Sequence, residues 1–193
     1  MNKSHLIHFV QSVLPMPIGK AEQIAENFQP GKFARNEFLL KEGAICNESH
    51  YIEQGFMRSF THDPDGNEVT TAFFSKNMYA SDLQSFFKRT RSKESIQALT
   101  DCETWSINYE DMQTGFHNLP EFREYGRLNL INQYSALKQR MLSMVQETAE
   151  QRYSDLIHSH PEILQHAPLK SIASYLGITD TSLSRIRKDF IKK

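Results

Sequence analysis

The stretch Leu169–Lys193, "LKSIASYLGITDTSLSRIRKDFIKK", closes the chain and carries most of its spare positive charge. Residues 168–193 hold six Lys/Arg against two Asp, and the preceding 167 residues hold 16 against 21. A tail of net +4 therefore hangs from a body of net −5. Pro168 marks a helix start, and Ile172, Ala173 and Leu176 fall on one helical face. Gly177 supplies a residue able to take φ > 0 at a break. Thr179 then fits the N-cap of a second helix, with Ile178 and Leu183 spaced for a hydrophobic staple across it. Leu183, Ile186 and Phe190 form an apolar stripe, and Ala173 is small enough for close helix approach. This pattern is that of two helices joined by a tight turn.

At 100° per residue, the side opposite the stripe presents Thr181, Ser184, Arg185 and Lys188. Hydroxyls approach a phosphate or a base edge closely, and Arg pairs bidentately with guanine O6/N7. The second helix of a helix-turn-helix reads the major groove with residues near its N-terminus, where Thr179, Thr181, Ser182, Ser184 and Arg185 sit. Arg187 and Lys188, with Lys192 and Lys193 beyond them, are candidates for phosphate contacts, which carry affinity without sequence information. The competing explanation is that cations favour the negative end of any exposed C-terminal helix.

Working outward, 193 residues with thirteen Phe, seven Tyr, one Trp and 23% charged residues describe an ordinary globular protein. No apolar run approaches the roughly 20 residues of a membrane span, and the N-terminus lacks a secretory pattern, so cytoplasm without membrane association is the expectation. Cys46 and Cys102 read as free core thiols. The local histidine group His158, His160 and His166 matches no metal-ligand spacing, so no metal and no cofactor are expected. No nucleophile–base pair and no G-x-x-x-x-G-K-[ST] loop is present, which argues against an enzyme.

Along the chain, "SHLIHFVQSVL" and "GKAEQIAENF" read as short helices closed by Gln29-Pro30-Gly31. From Phe33 to about Ile107, short apolar runs alternate with turn signals: "EFLLKEGAI", "SHYIEQGFMRSFT", then the hairpin signal "DPDGNE" ahead of "VTTAFF". "ESIQAL" and "ETWSI" follow a helix-like insertion, "SDLQSFFKRTRS". Six or more strands at this spacing predict an antiparallel barrel or sandwich. After Pro120 a long helical pattern reaches about Ser159. One seam at heptad spacing is Leu130, Tyr134, Leu137, Met141 and Met144; a second is Leu128, Ile131, Leu142 and Val145. A helix with two apolar faces has two things to pack on, one being the β-domain and the other a partner copy. A helix of about 30 residues is ~45 Å long, more than one side of a small barrel covers. The alternative is a single buried helix.

"PLKSIASYLGITDTSLSRIRK" resembles the DNA-binding end of the Crp/Fnr family of bacterial transcription regulators, in a branch that ends soon after the recognition helix. "FLLKEGAICNESHYIEQGFMRSF", with Gly43 and Gly55, is similar to the family's opening β-roll strands, and "SIQALTDCETWSI" to the strand pair after its ligand cassette. The resemblance implies an α+β fold: an N-terminal cyclic-nucleotide-binding-like jelly roll with flanking helices over 1–119, a dimerisation helix over 120–148, and a helix-turn-helix over 149–193. It also implies a homodimer, double-stranded DNA as partner, and RNA polymerase as a further one.

Family members that bind cyclic AMP carry a Gly-Glu pair and, ten residues after that Glu, an Arg-Ser pair; here the positions hold Ser81-Asp82 and Ser92-Lys93. Asp82 keeps an acceptor for a ligand hydroxyl, but Ser92 has no charge for a phosphate. Cyclic AMP is therefore not expected to bind in the family's manner. Tyr79, Ser81, Asp82, Arg91, Ser92 and Lys93 stand as the candidate ligand set for an unidentified small-molecule effector, and a solvated basic loop is the alternative for "FFKRTRSK". Thr181 stands where the family often has Glu, and no β-wing follows the last helix, so the family's usual half-site is not carried over. A small-molecule sensor acting through a protein partner is the second functional reading.

Overall fold

Eight short strands pair into two four-stranded antiparallel sheets in a computed structural model that describes residues 2–191. The strands are β1 (Gln29–Phe33), β2 (Phe38–Leu40), β3 (Glu48–Gln54), β4 (Met57–His62), β5 (Glu68–Phe74), β6 (Tyr79–Ala80), β7 (Ser95–Ala98) and β8 (Cys102–Asn108). One sheet runs β1-β8-β3-β6 and the other β2-β7-β4-β5, so successive strands switch sheets except at the β4–β5 hairpin, as in a jelly roll. The sheets and the helices packed on them bury Tyr51, Ile52, Met57, Ile96, Trp105 and Ile107. The hairpin signal at 63–68 joins β4 to β5: Asp63 Oδ1 accepts from the Asp65 and Asn67 N–H groups while Gly66 takes φ +81°.

Helices α1 (Ser4–Val13) and α2 (Ile18–Glu26) close one end of the roll with Leu6, Val10 and Ile24. Gln29-Pro30-Gly31, expected to end the second helix, instead forms most of β1 against β8. β1 is an edge strand, where a proline without an N–H is tolerated. Gly31 sits opposite Thr104, and a Cβ there would lie 2.7 Å from Thr104 Oγ1, so the close pairing requires glycine. The insertion expected as helix is α3 (Leu83–Lys88). A further helix, α4 (Tyr109–Asn118), was not anticipated. Its signal is Asn108, whose Oδ1 accepts from the Asp111 N–H at 2.7 Å, followed by an acidic first turn.

The long helical pattern after Pro120 is two helices, α5 (Pro120–Gln146) and α6 (Ala149–Ser159). The break is a capping box: Thr148 Oγ1 accepts from the Gln151 N–H, and Gln151 Oε1 accepts from the Thr148 N–H. Within α5 only Phe122 and Tyr125 are buried. The second seam is divided, with Leu128 and Leu142 half-buried and Ile131 and Val145 exposed, while Leu130, Tyr134, Leu137, Met141 and Met144 of the first are all exposed. The first two turns anchor α5 through Phe122 and Tyr125, and farther along it meets the roll again through Arg140, whose Nη1 donates to Thr71 O at 2.6 Å.

Three short elements complete the chain: α7 (Ile163–His166), α8 (Leu169–Tyr175) and α9 (Asp180–Ile191). Tyr153, Leu156, Ile163, Ile172, Leu176 and Leu183 build a second core, which Phe56, Phe73 and Leu99 of the roll complete. Fully burying each large apolar side chain contributes about 1.5–3 kcal/mol, so this shared cluster binds the C-terminal helices to the second sheet. Polar contacts fix the register: Arg58 Nη1 donates to Ser171 Oγ at 3.0 Å, and the Thr70 N–H donates to Ser174 Oγ at 3.1 Å.

Candidate functional site

Two places bring the sequence-derived residues together, the interior of the roll and the last helix. In the roll, Asp82 is the N-cap of α3, with Oδ1 accepting from the Ser85 N–H at 3.1 Å. Its other oxygen accepts from the Ser92 hydroxyl at 2.7 Å, and Ser92 is buried. Both carboxylate oxygens are thus engaged within the chain, and the hydroxyl that Asp82 receives is the protein's own. Ser81 Oγ accepts from Ser49 Oγ at a long 3.4 Å.

Tyr79, on β6, meets Tyr125 of α5 with their hydroxyls 2.8 Å apart. Burial raises both phenols well above the ordinary tyrosine range, Tyr125 to about 12. Their rings, with Phe28, Leu83, Phe86 and Phe122, leave a cavity of only ≈40 Å³, against the roughly 300–1,000 Å³ typical of small-molecule sites. The cations lie elsewhere. Arg91 is exposed, its Nη1 donating to Gly43 O at 3.2 Å, and Lys93 is exposed as well. Arg89 takes φ +54°, donates to Cys46 O and Asn47 Oδ1, and covers the Tyr109 ring at 4.8 Å. The structure therefore joins Asp82 to Ser92 and Tyr79 to Tyr125, while Arg91 and Lys93 point to solvent-side positions. The aromatic filling was missed in the sequence because its rings come from the α2–β1 connection, β6, α3 and α5, which no local spacing relates.

Cys46 and Cys102 are buried and unpaired, with burial pushing both thiols up. Among the described residues, no three His, Cys, Asp or Glu side chains are grouped to hold a metal, and no helix is long and apolar enough to cross a membrane.

At the C-terminus, α8 ends in a Schellman turn. Gly177 takes φ +69°, its N–H donates to Ser174 O at 3.1 Å, and the Ile178 N–H donates to Ala173 O at 3.0 Å. Thr179 then caps α9, its Oγ1 accepting from the Ser182 N–H at 3.2 Å and lying 3.0 Å from Ser182 Oγ. Thr179 and Ser182 are thus spent on the cap. Leu183 and Ile186 are buried, and Phe190, though 40% exposed, meets Tyr153 edge-on at 5.5 Å. Thr181, Ser184, Arg185 and Lys188 are exposed, and no side-chain hydrogen bond or ion pair engages them among the described residues; Arg187 is half-buried. Lys192 and Lys193 lie outside the described residues. The arrangement of α8, turn and α9 is compatible with a helix-turn-helix.

Residues 30–118 match the cyclic nucleotide-binding domain family. A search of curated protein sequences finds no match. Among solved structures, the chain resembles the c-di-GMP responsive global regulator CLP of Xanthomonas campestris, with 15% identity, TM-score 0.70, and 91% of this chain and 92% of that one covered. It resembles FixK2 of Bradyrhizobium japonicum at 15% identity and TM-score 0.72, over 86% of this chain and 85% of the other. A putative transcriptional regulator of the Crp/Fnr family from Eubacterium rectale aligns at 14% identity and TM-score 0.69, over 93% and 87%. Residues 30–118 thus form a jelly-roll domain similar to the cyclic nucleotide-binding domain family, in an overall fold shared with these solved structures, one of them described as a putative regulator of the Crp/Fnr family.

Proposed function

We propose that this protein is a DNA-binding transcription regulator of the Crp/Fnr type, acting as a homodimer on a pseudo-palindromic site. The observation that carries the reading is the division of α9. Leu183 and Ile186 anchor it in the second core, while Thr181, Ser184, Arg185 and Lys188 are exposed, with no side-chain partner among the described residues. A helix so held, with its N-terminal turn bare, suits the major groove. Arg185 is the base reader, because its guanidinium forms two parallel hydrogen bonds with guanine, and Arg187 and Lys188 meet phosphates. The exposed seam Leu130, Tyr134, Leu137, Met141 and Met144 supports pairing of two copies, which would set two α9 helices about 34 Å apart. RNA polymerase is a partner by family resemblance.

Cyclic AMP is not the effector in the family's manner. Asp82 and Ser92 satisfy each other, and Ser92 brings no charge for a phosphate. Selection from a random pool of duplex DNA tests the reading: a pseudo-palindrome with half-sites one helical turn apart should be enriched. The Arg185→Ala variant should bind that site ~1–3 kcal/mol more weakly at equal salt and relax the preference at one position. Enrichment of no motif would overturn the reading and favour a sensor that acts through a protein partner.

A further inference from the structure

Between β5, α5 and the segment from α6 to α8 lies a cleft of ≈480 Å³, which shares Tyr79, Asn129 and Gln133 with the lining of the small cavity beside Tyr125. Phe9, Phe73, Phe74, Met78, Ile163 and Tyr175 supply its apolar lining. Arg140 of α5 also lines it. Its Nη1 donates to Thr71 O at 2.6 Å and its Nη2 to Tyr175 O at 3.0 Å, with the guanidinium 4.0 Å over the Tyr175 ring. Its Nε is buried and has no partner.

No carboxylate pairs with Arg140 among the described residues. Arg58, the other guanidinium at this junction, is matched by Glu68 at 2.5 Å. Glu162 also lines the cleft, but its nearest cation is His160, at 3.6 Å. A cation held among aromatic walls without a counter-ion is costly, and an anion placed beside it recovers that cost. Amides of Asn129, Asn132 and Gln133 on the same side of α5 add hydrogen-bonding groups.

We propose that this cleft is a binding site for a small amphiphilic organic anion: a carboxylate, sulfonate or phosphate on an aromatic or aliphatic body. The volume falls in the ordinary range for such ligands. At 100° per residue, Asn129, Gln133, Ala136 and Arg140 centre about a quarter-turn from the Leu130–Met144 seam, and Leu137 of the seam borders the cleft at one edge. A bound anion would touch β5, α5 and the C-terminal helices at once. Binding itself is independent of any DNA role; only a regulatory consequence, through the placement of α9, rests on that reading.

Fluorescence titration of the full chain with anilinonaphthalene sulfonate, and with the uncharged phenylnaphthylamine as its neutral counterpart, tests the site. One sulfonate per chain is expected. Arg140→Met should weaken it by about tenfold or more while changing the neutral probe by less than about twofold. Ala136→Trp, which fills the cleft from an exposed position, should abolish both. Should Arg140→Met fail to fold, Ala136→Glu serves instead: a carboxylate one turn before Arg140 neutralises it and should exclude the sulfonate selectively. Sulfonate binding unchanged by these substitutions would overturn the proposal. So would binding that disappears as the chain dimerises, since the second copy would then be the occupant. None of these readouts uses DNA, so failure here and failure of DNA binding are separate results.

Discussion

Asp82 and Ser92 sit ten residues apart, the spacing at which the family's ligand-binding pair stands, yet here each is the other's partner. Removing the serine hydroxyl leaves a half-buried carboxylate oxygen short of a donor. Ser92→Ala should therefore lower stability by about 1–3 kcal/mol, read as a shifted urea midpoint with unchanged slope. Tyr79 and Tyr125 supply a pH prediction. Burial raises both folded phenols above the ordinary value of 10.0, Tyr125 to about 12. The folded state thus favours their protonated form. That contribution is complete below pH 10 and is lost as pH rises toward 12 and beyond. Unfolding free energy measured from pH 9 upward should decline, and the Tyr79→Phe/Tyr125→Phe double variant should show a shallower decline. An identical slope in the variant would mean that other groups dominate.

At the scale of elements, two local devices decide where the C-terminal helices begin and end. Gly177 occupies the left-handed region at φ +69°, and an added Cβ would lie 2.5 Å from Met144 Cε. That methyl is the free end of a flexible side chain and can swing away, whereas the backbone strain persists. Gly177→Ala should cost about 1–2 kcal/mol in thermal unfolding. The capping box at Thr148 separates α5 from α6, with Glu147 extended at ψ 151°. Thr148→Ala should cost about 1 kcal/mol, with little change in far-UV circular dichroism. A gain in helix signal would show that the cap, and not the packing of Tyr153 and Leu156, had kept the two helices apart.

At the scale of the whole molecule, the second core joins the C-terminal helices to the roll, while α5 leaves an apolar seam uncovered. Tyr134 is 66% exposed and Met141 60%, so neither supports the fold of the single chain. Tyr134→Glu/Met141→Glu should therefore leave thermal unfolding of the chain nearly intact and convert a dimer to monomer in sedimentation. A dimer of undiminished affinity in that variant would place the interface elsewhere. Loss of dimerisation should carry loss of tight DNA binding with it, since one α9 alone keeps half of the groove contacts.

What the sequence determined by itself is the set of features written in short spacings. Gly177 at the turn, Thr179 at the cap, and Leu183 and Ile186 opposite Arg185 follow from i, i+3 and i+4 geometry within one segment. The strand-rich middle and the 63–68 hairpin were legible for the same reason, and the Thr148 box and the Asn108 cap were written in equally local signals that went unread. Only the tertiary structure decided the rest. Pro30-Gly31 enters a strand because β8 lies beside it, and the roll's pocket closes because rings from four separate segments converge. Arg140 donates to carbonyls 69 residues away at Thr71 and 35 away at Tyr175, and no carboxylate pairs with it among the described residues. Such contacts depend on which distant segments meet, and no spacing along a single segment encodes that.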